Sequence, residues 1–149
     1  MRYIGKTFRG KSGEFLYPAD AELMYKIDQI LERNNEFAGA YSNFSNPVWP
    51  AYKNKDVHFV SYISKSYPEY LQKLEDRLSK SEGPYLLGKH MTIADCSTGA
   101  IFFKTSHNDN YEHNLILKVM INKYPKVTVY LNKLSEDFKD LVASNKFTF

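Results

Sequence analysis

The sequence predicts an all-α protein, a bundle of five or six helices. Apolar residues recur at steps of three and four in every long segment, which is the period of an amphipathic helix. No segment alternates apolar and polar residues between turn signals, as a half-buried strand does. The chain has 149 residues, the size of one ordinary domain, and 43% of them are hydrophobic, enough to fill a core.

The first long helix is predicted to begin after Asp20, because aspartate is a favoured N-cap residue. Its apolar face extends to Phe44, and Pro47 and Pro50 end the helix. The face comprises Leu23, Ile27, Ile30, Leu31, Asn34, Phe37, Tyr41 and Phe44.

A second helix is predicted from about Asp56 to Ser79. Pro68 lies inside it and predicts a kink or a short break, because proline lacks the N–H of the helical ladder. The predicted inward face comprises Val57, Val60, Ile63, Tyr67, Leu71, Leu74 and Leu78.

The third helix is predicted to start at Thr92 and to be central and buried. Thr92 at the N-cap and Asp95 three residues later form a variant of the capping box, in which each side chain satisfies a free backbone amide. Met91 is placed to pack on Cys96 as a hydrophobic staple. Unpaired amides inside a protein cost about 1–3 kcal/mol each, which explains so well-defined a start.

Two further helices are predicted after a polar loop. One runs from about Leu115 to Lys123. The other opens at Pro125, in the first turn where proline is welcome, and continues through Leu141 with either Tyr130 or Leu131 on its inner face.

Composition excludes several classes of function. The net charge is +3 and evenly spread, so a nucleic-acid partner is not expected. No apolar run approaches the roughly 20 residues of a membrane span. The single cysteine excludes an internal disulfide and indicates the cytoplasm or another reducing compartment. The basic, acid-poor amino terminus leaves a mitochondrial location open.

Four motifs in order resemble the all-helical C-terminal domain of cytosolic glutathione transferases, closest to the sigma, pi and alpha group. They are LYPADAELMYKIDQIL (16–31), YPEYLQKLEDRL (67–78), GPYLLGKHMTIADCSTGA (83–100) and YPKVTVYLNKL (124–134). The third is similar to the family's loop and capping box before a buried helix. The resemblance implies the fold of that helical domain.

The beginning of the chain also carries a resemblance. RYIGKTF (2–8) is similar to the last helix of the family's thioredoxin-like domain. The resemblance implies that residues 1–19 are a remnant of that helix plus a linker, and that residues 20–149 are the helical domain. In the family, the thioredoxin-like domain binds glutathione and activates its thiol. We therefore expect no catalytic residue and no cofactor in this chain, with glutathione as co-substrate if that domain is supplied.

The resemblance also implies site residues. Phe37, Tyr41 and Phe44 fall where the family lines its hydrophobic-substrate pocket, and ordinary core packing is the alternative. Glu36 lies near where related enzymes place a carboxylate that reaches the neighbouring subunit's glutathione, and a plain surface charge is the alternative. Thr92 and Asp95 are structural cap residues in either case.

Other reactive side chains are interpreted as structural. Tyr3 lies in the wrong motif to be the catalytic tyrosine of the group, and Cys96 is interpreted as a small packing residue. Four potential metal ligands occur within seven residues, but no zinc spacing is matched, so we interpret them as a solvated loop and expect no metal site. These four are His107, Asp109, Glu112 and His113.

Two functions are compatible with the sequence. The chain is the hydrophobic-substrate-binding half of an enzyme that conjugates glutathione to electrophiles, and is not active alone. Alternatively, it is a non-catalytic docking or accessory subunit of a larger assembly. A protein partner is expected in both cases: a thioredoxin-like domain, a second copy or a larger complex. We expect exposed apolar surface on the helices that begin at Asp20 and Thr92.

Overall fold

A computed structural model of the chain describes residues 1–10 and 13–139. Because α3 continues into α4, the described residues form six helices and no strand, so the fold is all-α as the sequence predicts. The helical segments are α1 (Arg2–Thr7), α2 (Ala21–Ser45), α3 (Lys55–Ser61), α4 (Tyr67–Lys80), α5 (Ile93–Lys104), α6 (Asn114–Ile121) and α7 (Pro125–Asp137).

Helix α2 has the predicted boundaries. The Asp20 carboxylate accepts a hydrogen bond from the Leu23 amide at 2.7 Å, which caps the first turn. The helix ends at Ser45, two residues before Pro47. A short 3₁₀ helix at Pro50–Asn54, which we did not predict, leads into α3.

The interruption predicted at Pro68 is a π-helical turn, Tyr62–Ser66, between α3 and α4. A π turn holds one extra residue, which rotates everything before it by about 100° relative to a continuous α-helix. Val57 and Val60, predicted to face inward, are therefore exposed, at 70% and 59%. Tyr62 is buried in their place.

Helix α5 is the central helix, as predicted, and packs against α2 and α7. Its inner side chains are fully or nearly buried, including Ala94, Thr98 and Phe102. The segment after α1 covers its start, because the Ile93 amide donates to the Leu16 carbonyl at 2.9 Å. Gly5 of α1 lies so close to Ile93 that a side chain would not fit there.

The apolar surface is not where we expected it. Among the described residues, α5 exposes no large apolar side chain, and α2 exposes only Tyr25. The α1 segment packs over the start of α5 and itself presents Tyr3, Ile4 and Phe8 to solvent. Further exposed apolar residues lie on α6.

The last two helices are close to prediction. Helix α6 begins one residue earlier and ends two residues earlier than expected, and α7 has Pro125 as its first residue. Both Tyr130 and Leu131 are buried, so the two alternatives for the inner face are both correct. Leu141 lies outside the described residues.

Candidate functional site

An aromatic cluster fills the space between the C-terminal half of α2, the π turn and the start of α4. Phe37 is at its centre, stacked on Tyr70 with ring centroids 4.0 Å apart and on Tyr62 at 5.3 Å. Phe37 is 5% exposed and its ring contacts those of Tyr62, Tyr67 and Tyr70, so it packs in the core. Its neighbour Phe44 packs on Tyr62 at 5.0 Å.

The cluster opens to solvent at a pocket of about 280 Å³ between the end of α2, α3 and the loop before α6. Of the three residues that the resemblance assigns to a hydrophobic-substrate pocket, Tyr41 and Phe44 line this pocket and Phe37 does not. Its other lining residues are Ser45, Tyr52, Lys55, Asp56, Phe59, Tyr111, Glu112 and His113. Aromatic walls with a few polar groups are typical of small-molecule pockets.

Sequence reasoning missed two of these walls. Phe59 was not placed on an inner face because a regular helical phase was assumed up to the interruption at Pro68, and the π turn changes that phase. Its ring stacks on His113 with centroids 4.0 Å apart. Tyr111 lies in the polar loop, where nothing in the local pattern indicates that its ring contacts Tyr41 at 6.1 Å.

Tyr62 and Tyr67 bury their hydroxyl groups without a hydrogen-bond partner in the described part of the chain. Burial raises the pKa of both phenols, so both stay protonated at neutral pH. Tyr70, in the same cluster, is different because its hydroxyl donates to Asn34 Oδ1 at 2.7 Å. Asn34 in turn donates to Thr98 Oγ1 at 3.0 Å, which ties α2 to α5.

Asp95 is the centre of a second buried polar group, at the start of α5. Its carboxylate accepts hydrogen bonds from the backbone amides of Leu86 and Thr92, both at 2.9 Å, and from the hydroxyls of Thr92 and Tyr130 at 3.0 and 3.1 Å. Thr92 Oγ1 accepts from the Ala94 amide, which completes the capping box. Burial raises the pKa of Asp95, and these four donors oppose that shift by favouring the carboxylate.

The loop before the cap is shaped by two glycines. Gly88 has a φ of +118°, which other residues rarely adopt, and a side chain on Gly83 would collide with the Gly88 carbonyl. The loop closes through mutual hydrogen bonds between Tyr85 and Gly88. This closure holds the Leu86 amide against Asp95, so the whole motif 83–100 builds a buried helix start.

Glu36 lies outside the aromatic pocket. It is exposed and lines an open groove of about 1110 Å³ between α2 and α4, together with Arg33 and Arg77. No hydrogen bond or ion pair joins its carboxylate to another described residue. Burial and the charge of Arg33 lower the pKa of Arg77. The groove is therefore a mixed-charge surface, separate from the aromatic pocket.

The four side chains considered as metal ligands are not assembled. His107 contacts Ser106, Asp109 pairs with Lys118 at 3.0 Å, and His113 stacks on Phe59. Within residues 1–10 and 13–139, no group of three or more such side chains is placed to hold a metal ion.

Cys96 and Tyr3 have the environments of structural residues. Burial, and secondarily the charge of Asp95, raises the pKa of the Cys96 thiol to about 11, so the reactive thiolate is scarce at neutral pH. Tyr3 lies on the exposed side of α1, and its carbonyl accepts a hydrogen bond from the Thr7 hydroxyl.

The fold and site together define a class: an all-α domain with a buried, capped central helix beside an aromatic pocket. A family model described as "Glutathione S-transferase, C-terminal domain" matches residues 42–139. The chain belongs to this family. Comparison with curated proteins gave no match, and comparison with solved structures gave none. In the part of the chain that the structure describes, no helix has the length and apolar character to cross a membrane.

Proposed function

We propose that this chain provides the hydrophobic-substrate-binding half of a glutathione transferase-like enzyme that conjugates glutathione to electrophiles. The observation that carries the proposal is the aromatic pocket lined by Tyr41 and Phe44. Its walls suit a flat apolar molecule, because aromatic pairs add about 0.5–1.5 kcal/mol beyond the burial of area.

Thiol activation is assigned to a thioredoxin-like domain rather than to the described residues. Activation needs a group that stabilises a thiolate near neutral pH. The Cys96 thiol has its pKa raised, not lowered, and the tyrosines around the pocket are closely packed among other rings. We therefore expect no conjugating activity from the chain alone.

Glu36 has a proposed role outside the pocket. Its carboxylate is exposed and unpaired among the described residues, so it is available to a neighbouring subunit. We assign it the contact with that subunit's glutathione that the family resemblance implies. The mixed charges of the groove are compatible with a second protein surface there.

Binding of 2-ethylnaphthalene, followed by its fluorescence, tests the pocket. We expect Tyr41→Ala to weaken binding about fivefold to thirtyfold, since it removes one aromatic wall. Tyr25→Ala is the matched control, an exposed tyrosine on the same helix, and should change the affinity less than twofold. Equal affinity in both variants would argue against the pocket.

An activity assay tests the second half of the proposal. The purified chain, given glutathione and an aryl halide, should show only the uncatalysed rate. Turnover clearly above that rate would contradict the assignment of thiol activation to another domain.

The alternative, a docking or accessory subunit, is favoured by α6. Leu117 and Ile121 of this helix face the core, while Leu115, Ile116 and Val119 are exposed. A helix that is apolar on all sides is normally covered. Light scattering tests this alternative: Val119→Lys should reduce any self-association or co-purification of a partner without changing naphthalene binding.

A further inference from the structure

The rings of Tyr62 and Tyr67, whose hydroxyls are unpartnered among the described residues, lie behind the rings that line the aromatic pocket. The Tyr62 ring contacts Phe44 at 5.0 Å and Tyr41 at 6.2 Å, and both of those rings line the pocket. Tyr67 is the next ring inward, 5.5 Å from Tyr62. The two phenols therefore form the inner end of a row of rings that begins at the solvent.

Tyrosine side chains surround this inner end. The Tyr62 ring lies 5.5 Å from that of Tyr67 and 6.2 Å from that of Tyr41, and the Tyr111 ring lies 6.1 Å from that of Tyr41. Ser106 lies near Tyr67 and opposes the rise in its pKa, but its hydroxyl does not reach hydrogen-bonding geometry with the phenol. Two of the phenol hydroxyls in this region therefore have no hydrogen-bond partner among the described residues.

Buried polar groups without partners are rare in native proteins, and each calls for an explanation. Leaving one unsatisfied carries a desolvation cost that phenylalanine at the same position would avoid. The π turn that carries Tyr62 into the core is also unusual, and such turns occur frequently at functional sites. A binding role for the hydroxyls accounts for both features.

We infer that the hydroxyls of Tyr62 and Tyr67 are hydrogen-bond donors to the oxygen of a neutral aromatic ligand, such as an aryl ketone, bound in the aromatic pocket. The ligand's ring lies between the pocket walls, and its oxygen reaches the hydroxyls past the half-buried Tyr41 ring, which shifts but remains a wall of the pocket. This inference rests on the proposed function, because it concerns the inner end of the same pocket.

A neutral acceptor fits this site better than an anion. The rings around the two hydroxyls are those of Phe37, Phe44 and Phe102, which offer no charge to balance a carboxylate. Burying an uncompensated charge costs far more than burying a carbonyl that accepts hydrogen bonds. A carbonyl oxygen also has two lone pairs, one for each phenol.

Two probes of matched shape, 2-acetylnaphthalene and 2-ethylnaphthalene, test the inference, since they differ in the carbonyl oxygen. We expect the native chain to bind the ketone about threefold to tenfold more tightly for each hydrogen bond formed. Tyr62→Phe and Tyr67→Phe should each reduce this preference while leaving the hydrocarbon's affinity within about twofold. Tyr25→Phe, at an exposed position, is the control and should keep the full preference.

A second measurement needs no variant. Hydrogen bonding lowers the infrared stretching frequency of a carbonyl, so the bound ketone should absorb at lower frequency than in an apolar solvent. An unshifted band, or equal affinities for ketone and hydrocarbon, would overturn the inference and leave the pocket intact. If neither probe binds, the proposed function fails together with the inference.

Discussion

The cap of α5 and the tyrosine pair behind the pocket both place polar groups in the core, but they treat them in opposite ways. At the cap, the Asp95 carboxylate accepts four hydrogen bonds, two at each oxygen. In the aromatic cluster, the hydroxyls of Tyr62 and Tyr67 have no hydrogen-bond partner among the described residues. Tyr70 in the cluster and Tyr130 at the cap are also buried, and both of their hydroxyls are bonded.

This difference indicates that the cap serves the stability of the fold and that the tyrosine pair serves binding. A satisfied buried network fixes one arrangement of the chain, and removing one member exposes the others to a desolvation cost. An unsatisfied group lowers stability, and such features are retained where function needs them. We therefore expect substitutions at the cap to weaken the fold and substitutions at the tyrosine pair to spare it.

The largest expected effect is at the cap. Asp95→Ala leaves the amides of Leu86 and Thr92 and the hydroxyl of Tyr130 without their acceptor. We expect the free energy of unfolding to fall by about 3–5 kcal/mol, because each of these three buried donors loses its acceptor at about 1–3 kcal/mol. Urea unfolding followed by circular dichroism measures it.

Asp20→Ala is the matched control for this experiment. Asp20 also caps a helix with a carboxylate, but it is exposed, and among the described residues its side chain accepts one hydrogen bond, from the Leu23 amide. It should cost about 1 kcal/mol. If the two substitutions cost the same, burial of the Asp95 network contributes nothing and the contrast between the two regions is lost.

The pH dependence of stability tests a second residue at the cap, Cys96, which follows Asp95 in α5. The folded thiol has a pKa of about 11 against an ordinary value of 9.0, so the folded state holds this proton more tightly. The protonated thiol therefore contributes about 2–3 kcal/mol to the free energy of unfolding. This stabilisation is fully present below pH 9 and is lost as the pH rises through 11.

The measurement compares the native chain with Cys96→Ala by urea unfolding at several pH values between 7 and 11. The gap between the two stabilities should be constant up to about pH 9 and should then change by about 2–3 kcal/mol in favour of the variant. The comparison cancels the ionisation of the tyrosines, which both chains share. A gap that does not change with pH would mean that the thiol is solvated.

The third prediction concerns a bonded tyrosine. Tyr70→Phe removes the donor to Asn34 Oδ1 and leaves that buried oxygen unpaired. We expect a loss of about 1–2 kcal/mol in the free energy of unfolding. A double substitution with Asn34→Leu should recover part of the loss, because it removes the unpaired group as well. No loss in the single variant would show that the bond contributes nothing.

Local features of the fold were predictable from the sequence, and distant ones were not. The capping box joins Thr92 to Asp95, three residues later, so its local sequence motif predicts it. The bond from Tyr130 to the same carboxylate crosses 35 residues, and no local pattern indicates it. The candidate pocket divides in the same way: Tyr41 and Phe44 are on one helix face, but Tyr111 reaches them from a loop.

The phase of the second helix shows a different limit. Pro68 predicted an interruption, because it cannot donate to the helical ladder. Whether the helix accommodates the proline by a kink or by a π turn with one extra residue depends on the tertiary packing around it. Here the extra residue of the π turn brings Tyr62 into the core and exposes Val57. The face that points inward before the proline is therefore not the predicted one.

The smallest expected change in the free energy of unfolding provides the most direct test of the contrast between the cap and the tyrosine pair. Tyr62→Phe removes a single buried oxygen that has no partner, and the ring and its contacts with Phe37 and Phe44 remain. The free energy of unfolding should stay unchanged or rise by up to about 1 kcal/mol, because the desolvation cost of the hydroxyl disappears. Urea unfolding beside Tyr70→Phe measures the difference between chemically identical changes in one cluster. A loss of 1 kcal/mol or more in Tyr62→Phe would mean that its hydroxyl is hydrogen-bonded in the free protein, and the contrast between cap and tyrosine pair would then disappear.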